Sequence, residues 1–170
     1  MPHPRVRIYY IVAIFAWTLV LTWAYQQLPE QVVHEFSIRG SAEQQGMRST
    51  HLTVMASMSI LVVIVLPAAF WLLLRRSPSS AFPLPREARS YWYAIERLEE
   101  FRQKAFSTVM NLSSTVLWLL TIMEFGVIIA NRRSPAQVGP ELWILLTFWA
   151  ALFGWQALTA VRSFLVPAKS

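Results

Sequence analysis

The sequence predicts an all-α fold: a membrane four-helix bundle with an additional amphipathic cytoplasmic helical segment between spans 2 and 3. Three observations lead there. Hydrophobic types make up 55% of the 170 residues and charged types 14%, where soluble domains carry about 25% charged. Four apolar stretches each reach the roughly 20 residues that a bilayer demands of a helix rising about 1.5 Å per residue. The basic residues flank those stretches instead of being spread over a surface, which argues for membrane orientation and against nucleic acid as a partner.

The whole chain, 1–170, reads as one integral membrane domain, with spans expected over about 8–28, 52–74, 106–130 and 142–165. Each span is closed by a polar, Pro- or Arg-containing stop: Pro29-Glu30, Arg75-Arg76, Asn131-Arg132-Arg133 and Pro167. Arg5 and Arg7 precede the first span as they would a signal peptide. The apolar core is longer than the roughly 7–15 residues of a signal sequence and no A-x-A cleavage site follows, so a retained anchor is expected. Loops are expected over 29–51, 75–105 and 131–141.

Lys and Arg set the orientation. With four crossings, the N-terminal segment, the 75–105 loop and the C-terminal segment share one side and hold 11 of the 15, Lys169 among them. The other side holds 4: Arg39, Arg48, Arg132 and Arg133. A multi-pass protein of the cell membrane with both termini cytoplasmic is expected, loops 29–51 and 131–141 facing outward. Tyr9, Tyr10, Trp23, Tyr25, Trp71 and Trp143 fall where an interfacial aromatic belt belongs.

Helix faces can also be read. Ser107, Asn111, Ser114, Thr121 and Glu124 recur at spacings of three, four or seven in span 3, a polar stripe that lipid would penalise and that should face other helices. In span 4, Thr147, Ala150, Ala151, Gly154 and Ala157 form a small-residue face suited to close helix approach. Pro67 lies inside span 2, where it removes a backbone hydrogen bond and should kink the helix. Between spans 2 and 3, no Pro or Gly follows Pro83 and Pro85 until Gly126. Tyr91, Ala94, Ile95, Leu98 and Phe101 recur there at helical spacing, with Glu96, Arg97, Glu99, Glu100, Arg102 and Lys104 on the other sides. An amphipathic helix lying on the cytoplasmic surface, or running straight into span 3, is expected.

The first outer loop reads Leu28-Pro29 through His34-Glu35-Phe36, then Gly40, Glu43 and Gly46. The middle loop reads Leu84-Pro85, then Tyr91-Trp92-Tyr93-Ala94-Ile95-Glu96-Arg97-Leu98-Glu99. This pair of motifs resembles a widespread prokaryotic membrane domain of unknown function (DUF 1648), also found N-terminally in Sdp-type toxin-immunity membrane proteins. That family follows its first span with Leu-Pro, His-Phe, Gly, an acidic or Asn residue and a second Gly. Its middle loop shows Tyr-Trp-x-Ala-Pro-Glu-Arg-x-Glu. Here the family's His position falls at Glu35, with His34 displaced by one, and Ile95 stands where Pro is usual. What the resemblance implies is topology, and it marks His34, Glu35, Phe36, Gly40, Gly46, Tyr91, Trp92, Glu96 and Arg97 as candidate binding residues.

Glu124 joins them as the one acid well inside a span, roughly 9 Å from the helix end. Such a residue is a functional-site candidate by default: it could relay protons or bind a cation. The structural alternative, that it ties span 3 to a neighbour with help from Arg132 or His51, is preferred, because no second intramembrane acid completes a relay. Glu30, His34, Glu35, Glu43 and His51 are metal-capable, but nothing repeats the i, i+4 spacing of a helical zinc site. A compact loop shaped by Pro29, Gly40 and Gly46 is expected instead. With no cysteine, no phosphate-cradling glycine loop and no hydrolase elbow, neither catalysis nor a cofactor is expected. The expected function is non-enzymatic binding of a ligand, peptide or protein partner, in an immunity-like or signalling role. The alternative is a small transporter or transporter subunit with Glu124 as the coupling residue. The lipid bilayer is the obligatory partner, and homo-oligomer formation is left open.

Overall fold

The computed structural model describes residues 4–37, 39–78 and 84–165; Pro83, Pro167 and Lys169 lie outside them. Four helices are long and apolar enough to cross a membrane: Arg5–Gln27, Arg48–Arg76, Leu98–Asn131 and Pro140–Ser163. The first three begin three to eight residues before their expected spans, because helical hydrogen bonding continues past the apolar run into flanking polar residues, while the fourth is shifted by two residues toward the N-terminus. In chain order the elements are α1 (Pro4–Gln27), β1 (Gln31–Phe36), β2 (Ala42–Met47) and α2 (Arg48–Ile60). A π-helical turn (Leu61–Val65), α3 (Leu66–Arg76), α4 (Arg86–Trp92), α5 (Leu98–Asn131) and α6 (Pro140–Ser163) complete them.

The central post is α5. Over its most apolar stretch 56% is buried, against 17% in α1 and 0% in α6, so the other helices pack on α5 and leave their outer faces to lipid. Two clusters record the pairing of α1 with α5: Ala13 and Trp17 against Leu117 and Leu120, then Ala24 and Leu28 against Val127 and Ile128. Residue numbers rise together along this contact, so the two helices run parallel, as first and third spans must. The expected polar stripe does face inward. Ser114 and Glu124 are fully buried and Thr121 nearly so, while the Ser114 and Thr121 hydroxyls donate to the carbonyls of Met110 and Leu117 one turn back. At mid-helix Trp149 Nε1 donates to Thr115 O at 2.7 Å, tying α6 to α5.

The small-residue face of α6 departs from expectation. Thr147, Ala150, Ala151 and Gly154 are exposed, and a Cβ on Gly154 would meet nothing within 4 Å. Its polar and large residues (Trp149, Gln156) make the contacts to α5 instead, which turns the small face outward. Around Pro67 the helix stays continuous through the π-helical turn just before it. Proline supplies no backbone donor to the preceding turn, and there the hydroxyl of Tyr10 on α1 donates to the carbonyl of Val63.

The fold is not all-α. Within the 29–51 segment β1 and β2 form an antiparallel two-stranded sheet. Pairing runs from Gln31 with Met47 to Phe36 with Ala42, with register shifts either side of Glu35. The middle segment also differs from one amphipathic helix. It breaks after Trp92 and resumes at Leu98, so α5 runs straight into span 3, while Ala94–Arg97 form turns and Ile95 is 84% exposed. The break follows from packing: Trp92 is buried with Leu74, Leu84, Phe101 and Phe164, and the chain must change direction there to enter the bundle.

Candidate functional site

The hairpin is held onto the bundle by apolar plugs and one side-chain clamp. Leu28 and Val32 fill the cluster with Ala24, Val127 and Ile128, and Phe36 packs against this cluster and against Ala130, Val138 and Leu142. Asn131, the last residue of α5, pairs with β1 as a neighbouring strand would. Its Oδ1 accepts from Val33 N at 2.9 Å, and its Nδ2 donates to Val33 O and to Val127 O, each at 2.9 Å. Arg48 adds a contact to Leu28 O at 2.9 Å. The 131–139 connection joins from the other side, where Val138 N donates to Gly40 O at 3.0 Å.

Both motif glycines have a physical reason. Gly40 sits at φ +84°, a conformation that costs other residues strain, and a Cβ there would lie 2.6 Å from Val138 O. A Cβ on Gly46 would lie 2.9 Å from Cε1 of His34, so the missing side chain makes room for that ring. The irregular register around Glu35 is a β-bulge, which re-aims side chains. His34 falls in it, its Nδ1 lying 3.4 Å from Val32 O.

Below His34 lies His51, with ring centroids 6.3 Å apart, and below His51 lies Glu124. Nε2 of His51 approaches both carboxylate oxygens of Glu124, at 2.9 and 3.2 Å. Glu124 is 0% exposed and His51 8%. An ionised carboxylate at such a depth is costly alone, and the bifurcated contact fits an N–H shared between two accepting oxygens. Of the two helpers considered for Glu124, His51 is therefore the one the structure supplies. Arg132 turns away, its guanidinium 5.0 Å from the Trp23 ring and bonded to Gln27.

Beside this row opens a cavity of about 410 Å³, between the hairpin and the facing ends of α5 and α6. His34, Glu35 and Glu43 line its polar rim; Met123, Trp143 and Leu146 are among the residues of its apolar floor. Among the described residues no three His, Asp or Glu side chains converge as a metal site would need. The rim residues stand out in the sequence and the floor does not: Asn131 reads there only as a helix stop, and His51 as part of a loop.

The second motif lies at the opposite end of the bundle and does not join this site. Trp92 Nε1 donates to Phe164 O at 2.9 Å, and the Arg97 guanidinium stacks 3.7 Å over the Tyr91 ring. Leu84 is buried in the same cluster, while Glu96 is exposed. Lys104 donates to Ser163 O and lies 4.5 Å from the Trp92 ring. These residues seal the end of the bundle where α3, α5 and α6 meet.

Fold and site together define a class: a helical protein with the four apolar spans of a multi-pass membrane protein, roofed at one end by a hairpin over a buried His–Glu pair. Comparisons of the chain with family models, with curated proteins and with solved structures gave no match.

Proposed function

We propose that this protein is a non-enzymatic membrane protein of the cell envelope that binds a ligand, peptide or protein partner at the hairpin end of its bundle. Both termini are then cytoplasmic and the hairpin is outside, as the distribution of Lys and Arg favours. One observation carries the reading: the docked hairpin leaves a 410 Å³ cavity with a polar rim and an apolar floor, within the range of small-ligand sites. The motif resemblance to DUF 1648 and the toxin-immunity proteins supports protection against a membrane-active peptide as the specific version. The test is to compare cells expressing wild-type protein with cells expressing Leu146→Trp, which fills the floor, at matched membrane levels. Protection against a panel of membrane-active peptides should be present with wild type and lost with the variant. Equal sensitivity in wild-type and gene-deleted cells would remove the immunity version.

A second reading is favoured by the buried His51–Glu124 pair: a transporter or transporter subunit that couples flux to protonation of Glu124. It requires Glu124→Gln to abolish proton-driven flux in proteoliposomes, and normal flux in that variant excludes it.

A further inference from the structure

The rim of the cavity carries two carboxylates, Glu35 and Glu43, and its lining contains no Lys or Arg. Over the hairpin end as a whole the charges balance, Arg39, Arg48, Arg132 and Arg133 standing against Glu30, Glu35, Glu43 and Glu141, so the lining is locally acidic. Three of those cations are occupied elsewhere. Arg48 bonds Leu28 O and stacks on Tyr25, Arg132 stacks on Trp23, and Arg133 pairs with Glu141. Arg39, in the hairpin turn, is not part of the lining. Glu35 and Glu43 are exposed and line a space shared with the polar His34 and Ser37 and with a larger apolar and aromatic set that includes Phe36 and Trp143, residue types that suit a cation with an apolar body. The floor residues Met123 and Trp143 are themselves partly exposed, 39% and 44%, and lie on membrane-spanning helices, so the cavity is continuous with the lipid side of the bundle.

We propose that the occupant is a small cationic amphiphile: a protonated amine on an alkyl or aryl body. The amine sits between Glu35 and Glu43, and the apolar body lies along Met123, Trp143 and Leu146, entering from the bilayer. Charge complementarity selects the cation, and the volume selects a molecule of small-ligand size over a folded partner. The proposal names the ligand class for the binding site proposed above and rests on that reading.

The full-length protein in zwitterionic phosphatidylcholine nanodiscs is exposed to three diazirine probes with the same twelve-carbon chain, ending in an amine, an alcohol or a carboxylate. Labelling is mapped by mass spectrometry at Met123, Trp143 and Leu146, relative to Ile144 and Phe148 on the exposed face of α6. The amine probe should be enriched at the floor. Glu35→Gln/Glu43→Gln should weaken that enrichment about tenfold, the scale of two exposed charge contacts. Leu146→Trp should abolish it with both carboxylates in place. The isosteric Gln variants are checked for an unchanged melting temperature. Equal floor labelling by alcohol or carboxylate, or an amine signal indifferent to the double variant, overturns the cationic class while leaving the cavity as a binding site. No enrichment with any probe overturns both.

Discussion

Removing one member of the His51–Glu124 pair should cost far more than removing both. Glu124 is fully buried and His51 nearly so, so solvent screening does not discount the contact. His51→Leu leaves a carboxylate with neither water nor a donor, a loss of about 3–5 kcal/mol where a buried pair is broken from one side. Glu124→Leu strands the imidazole N–H instead, about 1–3 kcal/mol. The double variant His51→Leu/Glu124→Leu removes both polar groups and replaces them with apolar volume, a change that is often neutral or stabilising. The double variant should therefore be more stable than the His51→Leu single, and with the double near neutral the two single losses set a coupling of about 4–8 kcal/mol. Unfolding in mixed micelles, titrated with a denaturing detergent and followed by helicity, measures all four corners of the cycle. Additive single effects would refute the claim that these two side chains hold each other inside the bundle.

Other consequences are equally direct. Asn131→Ala removes three hydrogen bonds and unpairs the buried backbone of Val33. It should cost about 1–3 kcal/mol and raise hydrogen exchange at the Val33 amide with α1 unaffected. Gly40→Ala combines a strained φ with a 2.6 Å contact to Val138 O. A loss of about 1–3 kcal/mol should appear as faster proteolysis confined to the hairpin. Tyr10→Phe removes the interhelical hydrogen bond to Val63 O near Pro67. It should lower stability by about 1 kcal/mol, whereas the same change at Tyr9 should be silent.

The four spans were legible because span length is a physical requirement that every sequence must meet within a few residues. The inward polar stripe of α5 was legible for a related reason, since lipid leaves Ser114, Thr121 and Glu124 no outward alternative. The hairpin was not legible. β2 reads Ala-Glu-Gln-Gln-Gly-Met, a polar run of low strand propensity, and in β1 the consecutive Val32 and Val33 are both buried, so period-two alternation is lost. What makes these strands is tertiary: Asn131 supplies a backbone-like partner, and Leu28 and Val32 are swallowed by α1 and α5. His51 looked like loop because α2 begins at Arg48 with no side-chain cap to announce it. Its pairing with Glu124 depends on the hairpin ending where it does. The small-residue face of α6 misled because small residues permit close approach without requiring it. Trp149 and Gln156 decided which face met α5.

That the hairpin and its cavity open to the outer side is tested most directly by single-cysteine accessibility, which a chain with no native cysteine allows without background. Gln44→Cys in β2 and Ile95→Cys in the turn between α4 and α5 place exposed thiols at opposite ends of the bundle. A membrane-impermeant maleimide should label Gln44→Cys in intact cells and reach Ile95→Cys only after the membrane is opened. Labelling of Ile95→Cys in intact cells, with Gln44→Cys protected, would place the cavity on the cytoplasmic side and contradict binding of an external ligand.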